Sequence, residues 1–291
     1  MQTSTLPLLK QQTECVPFYP ELDEISWKAG ISLVSYGVHI GIRVNEPTIL
    51  EPLLDYLPPG WEESSSPVDE LYSLIVDEIG KGSGRYIDHQ IYRGQEKLAE
   101  SIELETIFET LDSDLRLQVG IAVQDWLFVH AGVVGWRGKA ILIPGRSFSG
   151  KTTLVKALVN AGATYYSDEY AVLDTEGRVH PYPRRLSIRQ GEGQRVKRCS
   201  VEELGGTAGT EPLPVGLIVH AQYESGVQRN LKPMSLGHGV LALLDNTIVA
   251  SLRPDFALPI LASAVSGALC LEGKRDEAED IAIALLQHLE N

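Results

Sequence analysis

The segment Gly145-Arg146-Ser147-Phe148-Ser149-Gly150-Lys151-Thr152 constrains this chain more than any other stretch, because it fits the phosphate-loop pattern G-x-x-x-x-G-K-[ST] without a mismatch. Such a loop dictates its flanks. A strand must deliver the chain to it and a helix must leave it, so that backbone N–H groups converge on an anion at a helix N-terminus. Glycines at the two ends let the backbone curl with its N–H groups pointing inward, a nest that side chains would obstruct. Lys151 would then reach the β- and γ-phosphates of a nucleotide, and the Thr152 hydroxyl would bind Mg²⁺. Gly145, Arg146, Ser147, Phe148, Ser149, Gly150 and Thr153 complete the predicted nucleotide-binding set, with Ser147 offering either its backbone or its hydroxyl.

The flanks meet the requirement. Ala140-Ile141-Leu142-Ile143 is a short continuous apolar run, the pattern of a strand buried on both faces, and Pro144 ends it. Beyond the loop, Leu154, Val155, Ala157, Leu158 and Ala161 recur at helical spacing, and Gly162 supplies a C-terminal stop.

Composition narrows the classes. The chain has 291 residues, enough for one large domain or two smaller ones, and 43% hydrophobic with 22% charged residues describes an ordinary globular protein. No apolar run reaches membrane-span length and the first ten residues lack a secretory layout, so a cytoplasmic protein without a membrane partner is expected. A net charge of -14 disfavours nucleic acid as a partner. Cys15, Cys199 and Cys270 share no metal-ligand spacing and read as incidental thiols.

Two domains are expected, a small N-terminal α/β or α+β module over residues 1–120 and an α/β phosphate-loop domain over 121–291, with the boundary between Ser113 and Trp126. In the first, Val38, Ile40, Ile42 and Val44 alternate with polar or small residues as a half-buried strand, and Ile31 to Tyr36 can pair with it around Gly37. Pro47 to Leu57 reads as a short helix, Glu62 to Pro67 as an exposed loop, and Leu71 to Ile79 and Tyr86 to Tyr92 as strands about a turn at Gly80 to Gly84. Helical spacing runs from Leu98 to Ala122. In the second, strands are predicted at Trp126 to His130, Thr164 to Tyr166 and Val215 to Val219. Helices follow from Ser235 to Leu244, Pro254 to Val265 and Glu277 to Leu289, with Gly273 breaking the chain. His39 and His288 read as ordinary strand and surface histidines.

Asp168 and Glu169 arrive 17 and 18 residues after Lys151, directly after the short strand that ends at Tyr166. In most phosphate-loop proteins the metal-binding acid comes much later, at the end of a further hydrophobic strand. The order Phe128-Val129-His130-Ala131-Gly132-Val133, phosphate loop, Tyr166-Ser167-Asp168-Glu169-Tyr170 resembles the HPr kinase/phosphorylase family, whose core is related to phosphoenolpyruvate carboxykinases. The likeness is clear from about Trp126 to Leu173. It implies an α/β core of that type and an ATP- and Mg²⁺-dependent transfer of the γ-phosphoryl group to a hydroxyl. The implied acceptor is a serine of a peptide or small protein, as for the related kinases that act beside peptide-modification pathways, lasso-peptide tailoring among them. A small-molecule hydroxyl is the alternative acceptor, and a nucleotide-binding sensor without catalysis is the alternative class.

By position, the resemblance assigns Asp168 as the base and Glu169 as the Mg²⁺ ligand beside Thr152, with the two roles exchangeable, and His130 as a residue that orients the base or meets the transferred phosphoryl group. Phosphoryl transfer needs both a base and a metal ligand near the γ-phosphate. The chain departs from the family at Phe148, where glycine is usual, at Thr152 for serine and at Glu169 for aspartate; only Phe148 changes the chemistry.

Arg178, Arg184, Arg185, Arg189, Arg195, Lys197 and Arg198 crowd a segment whose only acid is Glu192, a local reversal of sign that suits either a phosphate- or carboxylate-facing surface or a solvated hairpin. Within it Leu186 to Gly191 faintly echoes the family's phosphorolysis segment, too briefly to imply that reverse activity. Arg253 and Arg275 stand apart as candidates for charge stabilisation, with a surface arginine as the ordinary reading of each. Homo-oligomer formation is compatible with all of this.

Overall fold

A computed structural model describes Leu22 and residues 24–76, 88–146, 149–189, 196–227 and 230–290, with backbone alone at 187–189 and 196–197. The chain divides into two compact units, residues 1–123 and 124–291. The whole is mixed α/β, and each unit carries its own mixed sheet.

The first unit contains β1 (Ala29–Ser35), β2 (Val38–Val44), α1 (Leu50–Leu53), β3 (Glu62–Glu63), β4 (Glu70–Ile75), β5 (His89–Arg93), β6 (Glu96–Ser101) and α2 (Leu104–Ala122). Its strands lie in the order β3-β1-β2-β4-β5-β6. Tyr36 and Gly37 both take positive φ (50° and 83°), the twist that closes a two-residue hairpin between β1 and β2. The stretch from Pro47 is one short α-helix between 3-10 turns rather than a single helix. The expected helix from Leu98 begins only at Leu104, because residues 97–101 pair with β5 as a strand and the Ser101 hydroxyl accepts from the Glu103 N–H at 3.0 Å. Ile107, Phe108, Leu111, Leu115 and Val119 then form the buried stripe of α2. Asp114 ties that helix to the sheet, accepting from the Tyr72 hydroxyl at 2.7 Å and from Arg93 at 3.0 Å. His39 is structural, its Nδ1 2.9 Å from the Ser64 hydroxyl. The strand expected over Leu71–Ile79 is β4, and the turn at Gly80 to Gly84 lies outside the described residues.

The second unit runs β7 (Leu127–Trp136), β8 (Lys139–Pro144), α3 (Lys151–Asn160), β9 (Thr164–Ser167), β10 (Tyr170–Leu173), β11 (Val179–His180), β12 (Leu186–Arg189), β13 (Val196–Cys199), β14 (Val215–Tyr223), β15 (Asn230–Pro233), α4 (Leu236–Leu244), α5 (Pro254–Ser266), β16 (Leu269–Arg275) and α6 (Ala278–Gln287). Its main sheet has the order β11-β10-β7-β8-β14-β16-β15, with β9 also on β7, and β12 pairs with β13 as a separate ribbon. β8, β14 and β16 are parallel neighbours.

Alternation along β8 explains its unbroken apolar run. Ile141 and Ile143 pack with Leu154, Val155 and Leu158 of α3 and with Ile281 and Leu285 of α6. Ala140 and Leu142 pack on the opposite face with Leu243 of α4 and Ile260, Leu261 and Ala264 of α5. Helices therefore cover both faces of the parallel strands, and each fully buried Leu or Ile contributes about 1.5–3 kcal/mol of transfer free energy. α3 stops as expected, with Gly162 at φ 103° and the Ala163 N–H donating to the Leu158 carbonyl.

β3 lies inside the expected exposed loop Glu62 to Pro67, where its two residues pair with Leu33 and Val34 of β1, and two strands of the second unit also differ from expectation. β7 does not end at His130 but continues to Trp136 through Gly132 and Gly135, glycines that admit close neighbours: an added Cβ would stand 2.6 Å from Val155 Cγ2 and 2.7 Å from Tyr166 Cε2, respectively. Gly273 breaks nothing, since it lies inside β16. Its φ of 146° and the 2.0 Å that would separate a Cβ from the Asn230 carbonyl oxygen show a backbone approach that glycine alone permits. Among the described residues no helix is long and apolar enough to cross a membrane.

Candidate active site

β8 delivers the chain to Gly145, whose N–H donates to the His130 carbonyl at 3.3 Å. The loop closes tightly: a Cβ on Gly145 would stand 2.7 Å from the Ser149 hydroxyl, and the Ser149 N–H donates to the Arg146 carbonyl at 3.2 Å. Gly150 takes the left-handed conformation (φ 84°, ψ 17°) and Lys151 opens α3, with no side chain capping the helix. The first-turn N–H groups are thus left for a ligand or solvent, at the positive end of the helix dipole. Arg146 and Thr153 are exposed. Ser147 and Phe148 lie outside the described residues.

Lys151 is 6% exposed and donates from Nζ to the carbonyls of Gly145 (2.9 Å) and Arg146 (3.0 Å). Burial pushes its ammonium pKa down, while the nearby carboxylates of Glu169 and Asp168 pull it back up.

The acid pair is brought to this loop by β7. β9 pairs with Val133–Gly135 and β10 with Leu127–His130, so the chain between them runs along the edge of β7 opposite β8, the strand that leads to the loop. Ser167 shapes the crossing, its hydroxyl accepting from the N–H groups of Glu169 (3.1 Å) and Tyr170 (3.0 Å), and the Ala131 N–H donates to the Glu169 carbonyl at 3.0 Å.

The two acids meet different surroundings. Asp168 is 6% exposed. Its Oδ2 accepts from the Thr152 hydroxyl at 2.9 Å, and its Oδ1 is 3.0 Å from the Tyr165 hydroxyl. Burial raises its carboxyl pKa, only partly offset by Arg184 and by the Thr152 and Tyr165 hydrogen bonds; Glu169 raises it further. Glu169 is more open. Its Oε1 lies 3.4 Å from His130 Nε2 and its Oε2 lies 3.7 Å from Arg184 Nη1. His130 also stands beside Tyr170, ring centroids 5.7 Å apart.

The structure therefore brings Lys151, Thr152, Asp168, Glu169 and His130 near one another. Tyr165 and the particular placing of Arg184 were missed. Tyr165 alternates with Tyr166 on β9 and only the register decides which faces the acids; Arg184 was one cation in a crowd of seven. The rest of that basic segment divides. Arg178 donates to the Pro212 carbonyl at 3.0 Å, the backbone continues into the β12–β13 ribbon, and the side chains of Arg189, Arg195 and Lys197 lie outside the described residues.

Arg275 is no surface arginine. It is 3% exposed, it donates to the carbonyls of Gly150 and Asp276, both at 3.0 Å, and its guanidinium sits 5.3 Å from the Tyr223 ring centroid. Its placement at the end of β16 was hidden by the glycine that masked that strand. Arg253 is occupied elsewhere, with the Gln124 carbonyl and over the Phe256 ring.

Oxygen donors fit a hard cation such as Mg²⁺ at Thr152 and the acid pair. Among the described residues no cluster of three or more His, Cys, Asp or Glu could hold a metal by itself. Such an ion would need further oxygens, which a nucleotide's phosphates supply. Cys199 and Cys270 are buried free thiols. The chain matches no protein-family model and no curated protein sequence.

Proposed function

We propose that this protein is an ATP- and Mg²⁺-dependent kinase of the HPr kinase-like kind, transferring the γ-phosphoryl group to a hydroxyl, most readily a serine of a peptide or small protein. The observation that carries this reading is the 2.9 Å hydrogen bond from the Thr152 hydroxyl to Asp168 Oδ2, which joins a phosphate loop to an acid pair. A nucleotide-binding sensor needs the first and has no use for a buried carboxyl of raised pKa beside it.

In the proposed reaction the loop N–H groups and Lys151 bind the β- and γ-phosphates. Thr152 and Glu169 would hold Mg²⁺, which neutralises charge on the phosphates. Asp168 takes the acceptor's proton, a task helped by a pKa lifted toward the working range. His130, 3.4 Å from Glu169, orients the acid pair.

The same Thr152–Asp168 bond favours a second division of labour, with Asp168 on the metal and Glu169, backed by His130, as the base. Metal titration separates the two. Replacing the base lowers turnover at every Mg²⁺ concentration, whereas replacing the ligand shifts the Mg²⁺ requirement upward; Asp168→Asn and Glu169→Gln are the variants to compare. The kinase reading itself predicts Mg²⁺-dependent ATP consumption that rises with added acceptor and collapses in Asp168→Asn while MgATP binding survives. No consumption with intact MgATP binding leaves the sensor reading, and acceptor-independent consumption, which is transfer to water, contradicts both.

A further inference from the structure

Two cations are buried against the Gly145–Thr152 loop, and among the described residues the hydrogen bonds of both go to neutral carbonyls. Lys151 donates to Gly145 and Arg146. Arg275 donates from Nη2 to the Gly150 carbonyl and from Nη1 to the Asp276 carbonyl, both at 3.0 Å. A buried charge held by neutral groups alone is costly until an opposite charge joins it. Burial accordingly pushes the Arg275 pKa down, offset only in part by Glu277, Tyr223 and Glu279. Glu277 is itself engaged, accepting from the Tyr223 hydroxyl at 2.8 Å.

The sheet delivers Arg275 to this place. β8, β14 and β16 are parallel neighbours in that order, so Arg275, opposite Tyr223 at the end of β16, stands at the sheet end from which β8 enters the loop. The Glu224 N–H donates to its carbonyl at 2.9 Å and fixes its main chain. Gly150 leaves room for the guanidinium, since a Cβ there would stand 2.5 Å from Arg275 Nη2. The Gly150 carbonyl accepts twice, from the Leu154 N–H at 3.1 Å as the first bond of α3 and from Arg275. In a planar trans peptide the Lys151 N–H runs antiparallel to that carbonyl. The guanidinium therefore holds and polarises the peptide from behind while its N–H faces the anion-binding end of the helix. We infer that Arg275 is a positioning residue of the phosphate loop: it aims the Gly150–Lys151 peptide at the nucleotide's phosphates, and its charge, with that of Lys151, takes those phosphates as counter-charge. This rests on the kinase reading above.

The test is equilibrium binding of MgATP and of magnesium tripolyphosphate, which has the phosphates and no base, to the full-length protein and to Arg275→Met and Arg275→Lys. The melting temperature of each unliganded variant checks its folding. The inference predicts that Arg275→Met weakens both ligands by a similar factor of at least about tenfold, the size of a lost charge-assisted hydrogen bond. Arg275→Lys should fall between Arg275→Met and wild type, since it restores charge without the planar fork. If Arg275→Met does not fold, Arg275→Lys decides alone, with both ligands weakened about threefold or more. A lowered melting temperature with both affinities unchanged would mean that Arg275 supports only the fold. Weakening of MgATP alone, or a wild type that binds MgATP but not tripolyphosphate, would mean that the phosphates are not its counter-charge. Each of these overturns the inference and leaves the kinase reading intact. If wild type binds neither ligand, the kinase reading falls and the inference with it.

Discussion

The Tyr165 hydroxyl lies 3.0 Å from Asp168 Oδ1 and 3.0 Å from the Arg184 carbonyl, so one phenol holds the buried acid and the segment carrying the nearby cation. With a single proton to donate, the phenol can serve only one of these two acceptors at a time. Tyr165→Phe keeps the ring packing and removes this link. Loss of a buried hydrogen bond to a carboxyl predicts about 1–3 kcal/mol of destabilisation in urea unfolding and a drop in phosphoryl transfer of about tenfold or more. Unchanged values in both assays would remove Tyr165 from the site.

The contact of β7 with α3 gives a prediction about packing. A Cβ at Gly132 would stand 2.6 Å from Val155 Cγ2. Gly132→Ala should therefore destabilise by about 1–3 kcal/mol through overpacking. Val155→Ala should relieve it, so the double variant should be more stable than the sum of the single changes predicts, with a coupling of about 0.5–3 kcal/mol. Strict additivity would contradict the contact.

Asp174 supplies a pH dependence. Burial alone would raise its carboxyl pKa, but the hydrogen bonds from His180 and from the N–H groups of Arg178 and Glu176 outweigh burial and hold it below 3.8. His180 Nε2 is 2.9 Å from its Oδ2. A carboxyl depressed in the folded state adds stability that is present above its unfolded pKa and disappears as pH falls through the folded one. Asp174→Asn should thus lose stability relative to wild type at pH 7, and the gap should narrow below about pH 4. Urea titrations at pH 7 and pH 3 read this directly, and a gap that is equal at both would count against it.

Gly273 offers the sharpest backbone test. Any side chain there meets the Asn230 carbonyl oxygen while holding φ near 146°. Gly273→Ala should cost more than about 2 kcal/mol and loosen β15 from β16, seen as faster amide hydrogen exchange over Asn230–Pro233. Wild-type exchange in that variant would contradict the register.

What could be read in advance follows from the range of the forces involved. The strand before the Gly145–Thr152 segment, the helix after it and the hairpin at Gly37 are governed by contacts within a few residues, and all were legible. So were α4, α5 and α6, whose apolar spacing is local. β16 was missed because Gly273 reads as an interruption, and β7 was cut short at His130; Gly132, Gly135 and Gly273 each admit a neighbour distant in sequence. Leu98 to Ser101 read as helix because Leu98 and Ile102 continue the apolar spacing of Thr106 to Ala122; pairing with β5 overrides that spacing. In the site, residue types announced Lys151, Thr152, Asp168, Glu169 and His130. Tyr165, Arg184 and Arg275 depend on sheet register and on strand ends, which one sequence does not reveal.

Incubation of the protein with Mg²⁺, ATP carrying a labelled γ-phosphate and a library of serine-containing peptides, followed by mass spectrometry, tests the central claim most directly. The account predicts labelled phosphate on a peptide hydroxyl with wild type, and none with Asp168→Asn although that variant still binds MgATP. Absence of any labelled acceptor together with intact ATP, or equal labelling by the variant, would contradict it.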